Sequence, residues 1–471
     1  MFLSTLKTKL FFLPLEIKTR ELYPKLYFAS KALEKNYSFF IGDKAGIFRA
    51  TKYFNKGVYF YKSINQTDTG HIIKIKNRDN KYIVLDEEGG FTYLSSKDYL
   101  RFLKHRSSEI NLRLIDKYFN WGKFDNKNCI NQYKKQKNKF SISGGLRFEV
   151  CKKSVVKSLY KDQIKKINNE YGKNYILVTT SHLTSKKEMR NMIKNDNHFM
   201  KLKTKTKKEI KDRFNVLIQL LRLNKEMKSI LILLSKNFPN KKFILRPHPS
   251  ESLDDWKNFF NKNSKISKNI SIDTKYDINA LIFNSKIVIN SKSACGLHAA
   301  LQKKPVITFV PKLIKYEKRI VDYIGNIAQT KKEIVSNLIK ILENKISYVK
   351  IKNSKILLDH VNNIGKKNNS SKIILNEVKK IYNSKSNINL LKILLLSPLY
   401  LLTDYFFKFL KKGFYDPKLS TLGTRTNLEK MGEERLMKSD IVSFFKNSNQ
   451  LNKINILSFG KSCFFVYKNI K

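Results

Sequence analysis

Short apolar runs of four to six residues recur along the chain, and most are followed by a stretch with helical spacing. The first series contains "LFFLPL", "YSFFIG", "GVYFYK" and "YIVL", and the second contains "YILVTT", "FILR", "ISID", "KIVIN" and "PVITFV". Short strands separated by helices are typical of βαβ units with a parallel sheet. Two such series predict an α/β fold of two Rossmann-like domains facing a cleft, which is the usual place for a substrate site.

The length of the chain also requires more than one core. With 471 residues it is too long for one ordinary hydrophobic core, so we expect two domains and a tail. A lysine- and asparagine-rich patch, "KFDNKNCINQYKKQKNK", lies near the end of the first series. The predicted N-terminal domain therefore covers residues 1–160, the C-terminal domain covers residues 168–350, and a helical tail covers residues 354–471.

The predicted tail contains a strongly apolar stretch at residues 388–410. Its longest uncharged run has 11 residues, which is too short to span a bilayer as a helix. Two alternatives remain open. The stretch is either a helix on a membrane surface, with Lys408, Lys411 and Lys412 at the headgroup level, or a helix packed on the domains.

The charge of the chain is strongly positive, at +56. Only 14 of the 94 basic residues are Arg, and the lysines are scattered, which argues against a nucleic-acid footprint. Attraction to anionic lipid headgroups and sugars is still expected. The apolar block at residues 10–15 contains Pro14 and resembles a first strand more than a signal peptide. Together with four dispersed cysteines, it predicts a cytoplasmic protein. If residues 388–410 form a membrane-surface helix, the protein is peripheral at the inner face of the cell membrane.

The stretch "FILRPHPSES" joins a strand to a helix through a rigid turn. Each proline disfavours the α conformation in the preceding residue, here Arg246 and His248. Ser252 with Asp255 three residues later predicts a helix N-cap. In an open α/β sheet such a junction lies at the carboxyl end of a strand, where ligands bind. Arg246, His248 and Ser250 are therefore candidate ligand contacts.

A second junction follows the strand "KIVIN", in "NSKSACGLHAALQKKPVITF". Ser291, Ser293 and Gly296 allow backbone amides to approach a ligand closely, and a helix N-terminus favours phosphate. A Ser-rich cap alone is often no more than a cap. We expect the two junctions to follow neighbouring strands and to close around one phosphate or diphosphate.

These motifs look like those of a known class of enzymes. His248-Pro249 and Ser291-Lys292-Ser293 are similar to the His-Pro and Ser-Ser or Ser-Thr motifs of two-Rossmann (GT-B) sugar-nucleotide transferases, including several bacterial sialyltransferases. Short blocks within residues 10–345, among them "LDEEGG", "GGLRF", "ILRPHPSES" and "GLHAALQKKPVI", resemble surface carbohydrate biosynthesis proteins. These are relatives of the CDP-glycerol glycerophosphotransferases and capsule polysaccharide transferases. The chain departs from the pattern at "GGLRFE", where relatives often have Asn-Pro-Arg-Phe-Asp, and at His298, where an acidic residue is common.

The resemblance implies a transferase of surface polysaccharide biosynthesis. Such an enzyme moves a sugar or polyol-phosphate group from a nucleotide-sugar or CDP-polyol donor to a glycan or lipid-linked acceptor, without a metal or cofactor. The C-terminal domain would hold the donor, with phosphate contacts from His248, Ser291, Ser293 and Gly296, while His298 would affect how the ribose or sugar is held. A protonated His248 would offset the charge that builds on the leaving phosphate.

A general base for the acceptor hydroxyl is expected from the N-terminal domain. The candidates are Glu88, the preferred one, and Glu87 in "LDEEGG", and Glu21 after the first strand. Isolated histidines without HxxH spacing predict no metal site, and GxGxxG and P-loop motifs do not occur in the sequence. Two alternative functions stay open: a nucleotide-sugar 2-epimerase on the same fold, and a non-catalytic protein that binds polyanions.

Overall fold

The chain is divided into two compact units. The computed structural model describes residues 5–87, 93–181, 183, 185, 188–190, 207–249, 251–265, 267–312, 319–347, 355–364, 369–409 and 435–469, with the backbone alone at 105, 207–213 and 403–409. Unit 1 comprises Met1–Leu159 and Lys352–Lys471, and unit 2 comprises Tyr160–Ile351. Unit 2 is therefore inserted between two segments of unit 1.

Unit 1 is built on a sheet that has nine strands in the described part of the chain. They are β1 (Thr5–Leu15), β2 (Tyr37–Asp43), β3 (Val58–Tyr61), β4 (Lys81–Leu85), β5 (Lys117–Asn120), β6 (Phe140–Ile142), β13 (Ser386–Asn389), β14 (Ile454–Ser458) and β15 (Cys463–Lys468). Strands β2-β1-β3-β4-β5-β6 run parallel in that order. Residues 10–15 of β1 are all buried, as expected for a parallel strand covered on both faces.

Helices cover the sheet of unit 1. From the first segment they are α1 (Lys18–Leu33), α2 (Lys44–Tyr53), α3 (Thr69–Lys76), α4 (Ser96–Arg106), α5 (Glu109–Leu114), α6 (Lys123–Gln132), α7 (Arg147–Val150) and α8 (Lys153–Leu159). From the second segment they are α15 (Lys355–His360), α16 (Ser370–Ile381), α17 (Leu390–Phe409) and α18 (Lys438–Asn447). Asp43 caps α2 by accepting a 2.6 Å hydrogen bond from the Gly46 amide.

The segment after unit 2 differs from the helical tail that the sequence predicts. It contributes β13, antiparallel to β1, and the hairpin β14–β15, whose strand β15 is antiparallel to β2. These strands share a core with the first segment, because the tilted rings of Phe40 and Phe465 are in contact, with centroids 4.8 Å apart. The physical reason is that β1 and β2 would otherwise present unpaired backbone groups at these positions. Residues 352–471 are thus an integral part of unit 1.

Unit 2 has a six-stranded parallel sheet within the described residues. Its strands are β7 (Ile176–Thr179), β8 (Phe243–Arg246), β9 (Ile270–Ile272), β10 (Ile287–Asn290), β11 (Val306–Phe309) and β12 (Asn326–Ala328). Its helices are α9 (Lys161–Tyr171), α10 (Lys207–Asn237), α11 (Leu253–Lys262), α12 (Ile278–Asn284), α13 (Cys295–Leu301) and α14 (Lys331–Leu342). The predicted N-cap of α11 is confirmed, since Ser252 Oγ accepts a 3.1 Å hydrogen bond from the Asp255 amide.

The strand order of unit 2 is β12-β11-β10-β7-β8-β9. Counted from β7, this is the 3-2-1-4-5-6 order of Rossmann folds, in which the direction of winding reverses between the first and the fourth strand. The expectation that the strands before the two sequence junctions are neighbours is wrong. Strand β7 lies between β8 and β10, because the winding of the sheet starts at β7 and proceeds outward on both sides.

Candidate active site

The carboxyl ends of β7 and β10 mark the point where the winding of unit 2 reverses. In open α/β sheets ligands bind outside the carboxyl ends of strands at this point. The residues that follow are Thr180 after β7 and Ser291 after β10. The Ser291 amide donates a 3.0 Å hydrogen bond to the carbonyl of Thr179, so the two chain segments stay paired beyond the strands. The fold thus places the predicted Ser291 at the position where a ligand is expected.

Two buried polar groups at this position have no partner among the described residues. They are the hydroxyl of Ser291 and the Nδ2 amide of Asn290, and both residues are fully buried. The other side-chain atom of Asn290, Oδ1, accepts a 3.0 Å hydrogen bond from Thr179 Oγ1 and thereby fixes the amide plane. Buried polar groups are nearly always hydrogen-bonded, because an unmade bond costs about 1–3 kcal/mol. Both groups are therefore candidates for a hydrogen bond to a ligand oxygen.

The predicted Ser293 and Gly296 shape the turn after β10. Ser293 is buried, and its Oγ accepts a 3.3 Å hydrogen bond from the Cys295 amide. Lys292 adopts the left-handed conformation, with φ of 54°, which turns the chain sharply between the two serines. A Cβ atom on Gly296 would lie 2.9 Å from Asn290 Nδ2. Gly296 therefore leaves room for the Asn290 side chain, a role that the sequence analysis did not assign to it.

The turn after β8 carries His248 in a half-buried position. Its carbonyl accepts a 2.9 Å hydrogen bond from the Glu251 amide, which closes the turn. Since β7 intervenes, β8 and β10 are two strand spacings apart, about 10 Å. Arg246 pairs with the buried Asp273, at 3.0 Å, so the structure gives this side chain a protein partner. Ser250 lies outside the described residues.

Glu251 connects the turns after β7 and β8. Its carboxylate accepts hydrogen bonds from Thr180 Oγ1 at 2.8 Å, the Leu183 amide at 3.2 Å and Trp256 Nε1 at 3.1 Å. Burial raises the pKa of Glu251 to about 7, although these hydrogen bonds act in the opposite direction. Glu251 therefore links the two turns: its amide bonds to the His248 carbonyl, and its carboxylate bonds to the loop after β7.

His298 lies in helix α13, where it is buried and contacts helix α12. Its Nδ1 lies 3.1 Å from Oδ1 of Asn279. Asn279 also contacts the Gln302 amide through its backbone carbonyl, at 3.1 Å. The structure thus gives the side chain of His298 a role in packing two helices, and its predicted contact with the donor remains a prediction.

Unit 1 also has a reversal of winding, between β1 and β3, and charged residues collect near it. Glu21 is buried at 2% exposure and accepts hydrogen bonds from the Glu16 amide at 3.0 Å and from Lys25 Nζ at 2.9 Å. Arg20 adds a 3.1 Å ion pair. Burial alone would raise the pKa of Glu21, but the charges of Lys25 and Arg20 outweigh it and hold the pKa below its usual value. Glu21 is therefore suited to a structural role in ion pairs, and poorly suited to accept a proton.

Glu87 shares this cluster but remains partly accessible. Its carboxylate lies 3.0 Å from Lys25 Nζ, and 18% of its side chain is exposed. Burial and the nearby charge of Glu21 raise its pKa, and the ammonium of Lys25 opposes them. Lys25 Nζ also donates a 2.6 Å hydrogen bond to the Pro14 carbonyl, which fixes the ammonium between the two carboxylates. Glu88 lies outside the described residues.

Glu87 lies on the wall of a recess in unit 1. The recess encloses about 420 Å³ including its open mouth. Its lining includes Arg20, Glu87, Trp121, Ser143, Gly144 and Arg147. Asp86, the neighbour of Glu87, is held away from solvent by Arg106 at 3.2 Å and Tyr118 Oη at 3.0 Å. Of the acidic residues in "LDEEGG" that the structure describes, Glu87 is thus the one available to a ligand.

Several residues of these sites were not singled out from the sequence. Thr179, Asn290 and Lys25 lie within helix or strand patterns, where a polar residue carries no distinct signal. Asn290 does end a run of β-branched residues, which could have marked it as a strand-end residue. In the described part of the chain, there is no group of three or more His, Cys, Asp or Glu side chains that could hold a metal ion.

Comparison with known proteins shows the fold. Neither the family models nor the curated proteins gave a match. Among solved structures, the chain is similar to a Listeria monocytogenes protein assigned as a UDP-N-acetylglucosamine 2-epimerase, with 11% identity, TM-score 0.50, and coverage of 80% of this chain and 97% of that one. It is also similar to S. aureus MnaA with UDP, with 10% identity, TM-score 0.46, and coverage of 80% of this chain and 97% of that one. Its similarity to the wall teichoic acid polymerase TagF has 13% identity, TM-score 0.47, and coverage of 79% of this chain and 88% of that one.

The likeness to the Listeria protein establishes a GT-B-like fold for this chain. The prediction of an α/β fold with two Rossmann-like domains is therefore confirmed. At such low identity a shared fold does not determine the reaction, because the same architecture hosts many activities. Function has to be argued from the residues of the sites.

Proposed function

We propose that the protein is a transferase of surface polysaccharide biosynthesis that uses a nucleotide-activated donor. It moves a sugar or polyol-phosphate group to a hydroxyl of a glycan or lipid-linked acceptor. Unit 2 binds the donor through its phosphates, and unit 1 supplies the general base. The transfer needs no metal and no bound cofactor in this proposal.

The observation that carries the proposal is a pair of buried polar groups at the reversal point of unit 2 that have no hydrogen-bond partner in the part of the chain that the structure describes. Ser291 Oγ and Asn290 Nδ2 both lie at the carboxyl end of β10. An amide and a hydroxyl can each donate a hydrogen bond to a phosphate oxygen. His248, at the end of β8, is about two strand spacings away, a distance that a diphosphate with its nucleoside can span. In its protonated form it stabilises the leaving phosphate.

Glu87 is the proposed general base. A carboxylate acts as a base when it is deprotonated and within reach of the acceptor hydroxyl, and a raised pKa increases its basicity. Burial and Glu21 raise the pKa of Glu87 while its side chain stays accessible at the recess. In the transfer, the hydroxyl loses its proton to Glu87 and attacks the carbon or phosphorus of the transferred group. The bond to the nucleotide phosphate breaks, and its electron pair stays on the phosphate.

The first experiment is a thermal-shift screen of the protein with CMP, CDP, UDP and GDP. A ligand that binds only the folded state raises Tm, by an amount that grows with its concentration relative to Kd. We expect at least one of these nucleotides to raise Tm, and the Ser291→Ala variant to respond less. If none raises Tm at millimolar concentration, the donor site is wrong.

A nucleotide-sugar 2-epimerase is the second candidate, because the similar Listeria protein is assigned that activity. An epimerase needs no acceptor, whereas a transferase does. The two are separated by incubating the protein with the nucleotide-sugar that binds best and following the sugar by proton NMR. Conversion to a 2-epimer without acceptor would replace the transferase proposal. A donor that stays unchanged alone and is consumed only after an acceptor is added would support it.

A further inference from the structure

Helix α17 carries apolar residues on two faces. One face packs on the core of unit 1, where Leu390, Ile393, Ser397 and Tyr400 are between 0% and 9% exposed. Their spacing of three, four and three residues is that of one helix face. Tyr400 contacts Phe459 of the loop between β14 and β15, with ring centroids 5.3 Å apart. The helix is therefore held firmly along this face.

The opposite face is exposed and consists mainly of leucine. Thirteen large apolar side chains are exposed among the described residues, and five of them lie in this one helix. They are Leu391 at 44%, Leu394 at 41%, Leu395 at 66%, Leu399 at 52% and Leu402 at 68% exposure. We call these five residues the leucine face. Scattered exposed leucines are normal, but a contiguous apolar face of this kind marks an interaction surface.

The chain segments that pack against α17 are rich in basic residues. Three stretches contact one another here: residues 45–56, 385–402 and 451–468. Ser386 Oγ, in the strand before α17, donates a hydrogen bond to the Lys56 carbonyl, and Ser397 Oγ of α17 accepts one from the Gly460 amide. Together they contain eight Lys or Arg and no Asp or Glu. Lys392 is exposed on the helix itself, with its ammonium 5.2 Å from the ring centroid of Tyr53.

We propose that the leucine face docks on an anionic lipid surface. The helix lies in the plane of the interface, with the leucines among the acyl chains and the lysines at the headgroups. No helix in the part of the chain that the structure describes is long and apolar enough to cross a membrane. A second copy of the chain is a poorer occupant, since two molecules of charge +56 repel each other and an anionic surface attracts them.

The test is co-sedimentation of the full chain with vesicles of phosphatidylglycerol and phosphatidylcholine in equal amounts. The variant replaces Leu395 and Leu399 together by Gln. We expect its partition coefficient to fall at least about tenfold, because two side chains lose their transfer to the acyl region. Binding of the unchanged protein should also fall steeply with added salt and be weak on pure phosphatidylcholine.

The matched control replaces Ile110 and Val216, which are 60% and 57% exposed on other helices, by Gln. It should bind vesicles like the unchanged protein, and both variants should keep Tm. Equal binding by the two double variants would overturn the proposal. So would a dimer of the unchanged protein, in sedimentation without lipid, that the leucine variant abolishes, because the face would then bind a second copy. Nucleotide binding is measured separately, by the Tm shift. A failure of vesicle binding would therefore contradict the lipid docking but not the proposed transfer reaction.

Discussion

Thr179 Oγ1 donates a 3.0 Å hydrogen bond to Asn290 Oδ1 and so joins the ends of the two central strands of unit 2. The bond determines which way the Asn290 amide faces. Its Nδ2 and the hydroxyl of the next residue, Ser291, both lack hydrogen-bond partners among the described residues. Two donors without partners among the described residues thus lie at the carboxyl end of β10, where we propose that the donor phosphate binds.

Ser291→Ala should weaken nucleotide binding by a factor of about 10 to 150, because a hydrogen bond to a charged acceptor contributes about 1.5–3 kcal/mol. The fold should not suffer, since the hydroxyl has no partner within the described residues. Ser285, just before β10, is the matched control: it is equally buried and its hydroxyl bonds to the Ile282 carbonyl at 2.9 Å. Ser285→Ala should lower Tm and leave affinity unchanged in isothermal titration. The reverse pattern would remove Ser291 from the site.

His248→Ala should reduce kcat by about a hundredfold, a typical cost of losing one electrostatic contact to a developing charge. His248→Gln, which keeps size but cannot be protonated, should be as slow. Unchanged Tm and circular dichroism would show that the turn still forms through the Glu251 amide. Normal turnover in either variant would exclude His248 from the chemistry.

Glu87→Gln should lower kcat by about a hundredfold or more, as expected for the loss of a general base, with little change in KM for the donor. Glu34→Gln, on the exposed end of α1 in the same unit, is the control and should behave like the unchanged enzyme. The base works in its deprotonated form, so activity should fall as pH decreases through its pKa, which lies above the usual value.

The same pH profile tests the contribution of Glu21. Its charge raises the pKa of Glu87, so Glu21→Gln should move the acidic limb of kcat to lower pH. A purely structural role for Glu21 would change Tm but not the position of that limb. An acidic limb that stays in place when Glu87 itself is replaced would show that another group is the base.

Glu251 should make the stability of unit 2 depend on pH. Its pKa of about 7 in the folded state is above the ordinary 4.5, so folding favours the protonated form. This contribution is fully present below pH 4.5 and is lost as pH rises through 7. The free energy of unfolding should fall by about 3 kcal/mol over that range. In Glu251→Gln the dependence should be weaker. Equal slopes of Tm against pH in both proteins would contradict this prediction.

Much of the sheet architecture could be predicted because parallel strands buried on both faces are continuous apolar runs. "FILR" and "KIVIN" correspond to β8 and β10, and the Ser252 cap lies where the sequence placed it. The order of strands could not be read locally. The sequence therefore does not predict β7 between them, and it places the residues of the antiparallel strands β13 to β15 in a helical tail.

The candidate site residues are likewise only partly predictable. Ser291 and His248 can be recognised from the sequence as residues that follow strands. The ion-paired cluster of Glu21, Lys25 and Glu87 cannot, because it depends on two segments of chain brought together by the sheet. Burial also changes the meaning of a residue. His298, in a motif that resembles a binding element, contacts Asn279 between two helices. Sequence patterns indicate which residues end strands, whereas accessibility is decided by packing.

The insertion of unit 2 has a consequence for synthesis on the ribosome. Strand β15, which pairs with β2, is translated only after all of unit 2. At a rate of about 5–20 residues per second, synthesis of β15 follows that of β2 by a time on the order of tens of seconds. The inserted unit is already able to fold during this time. During that interval the nascent chain carries an open, apolar strand edge, which is a natural binding site for chaperones.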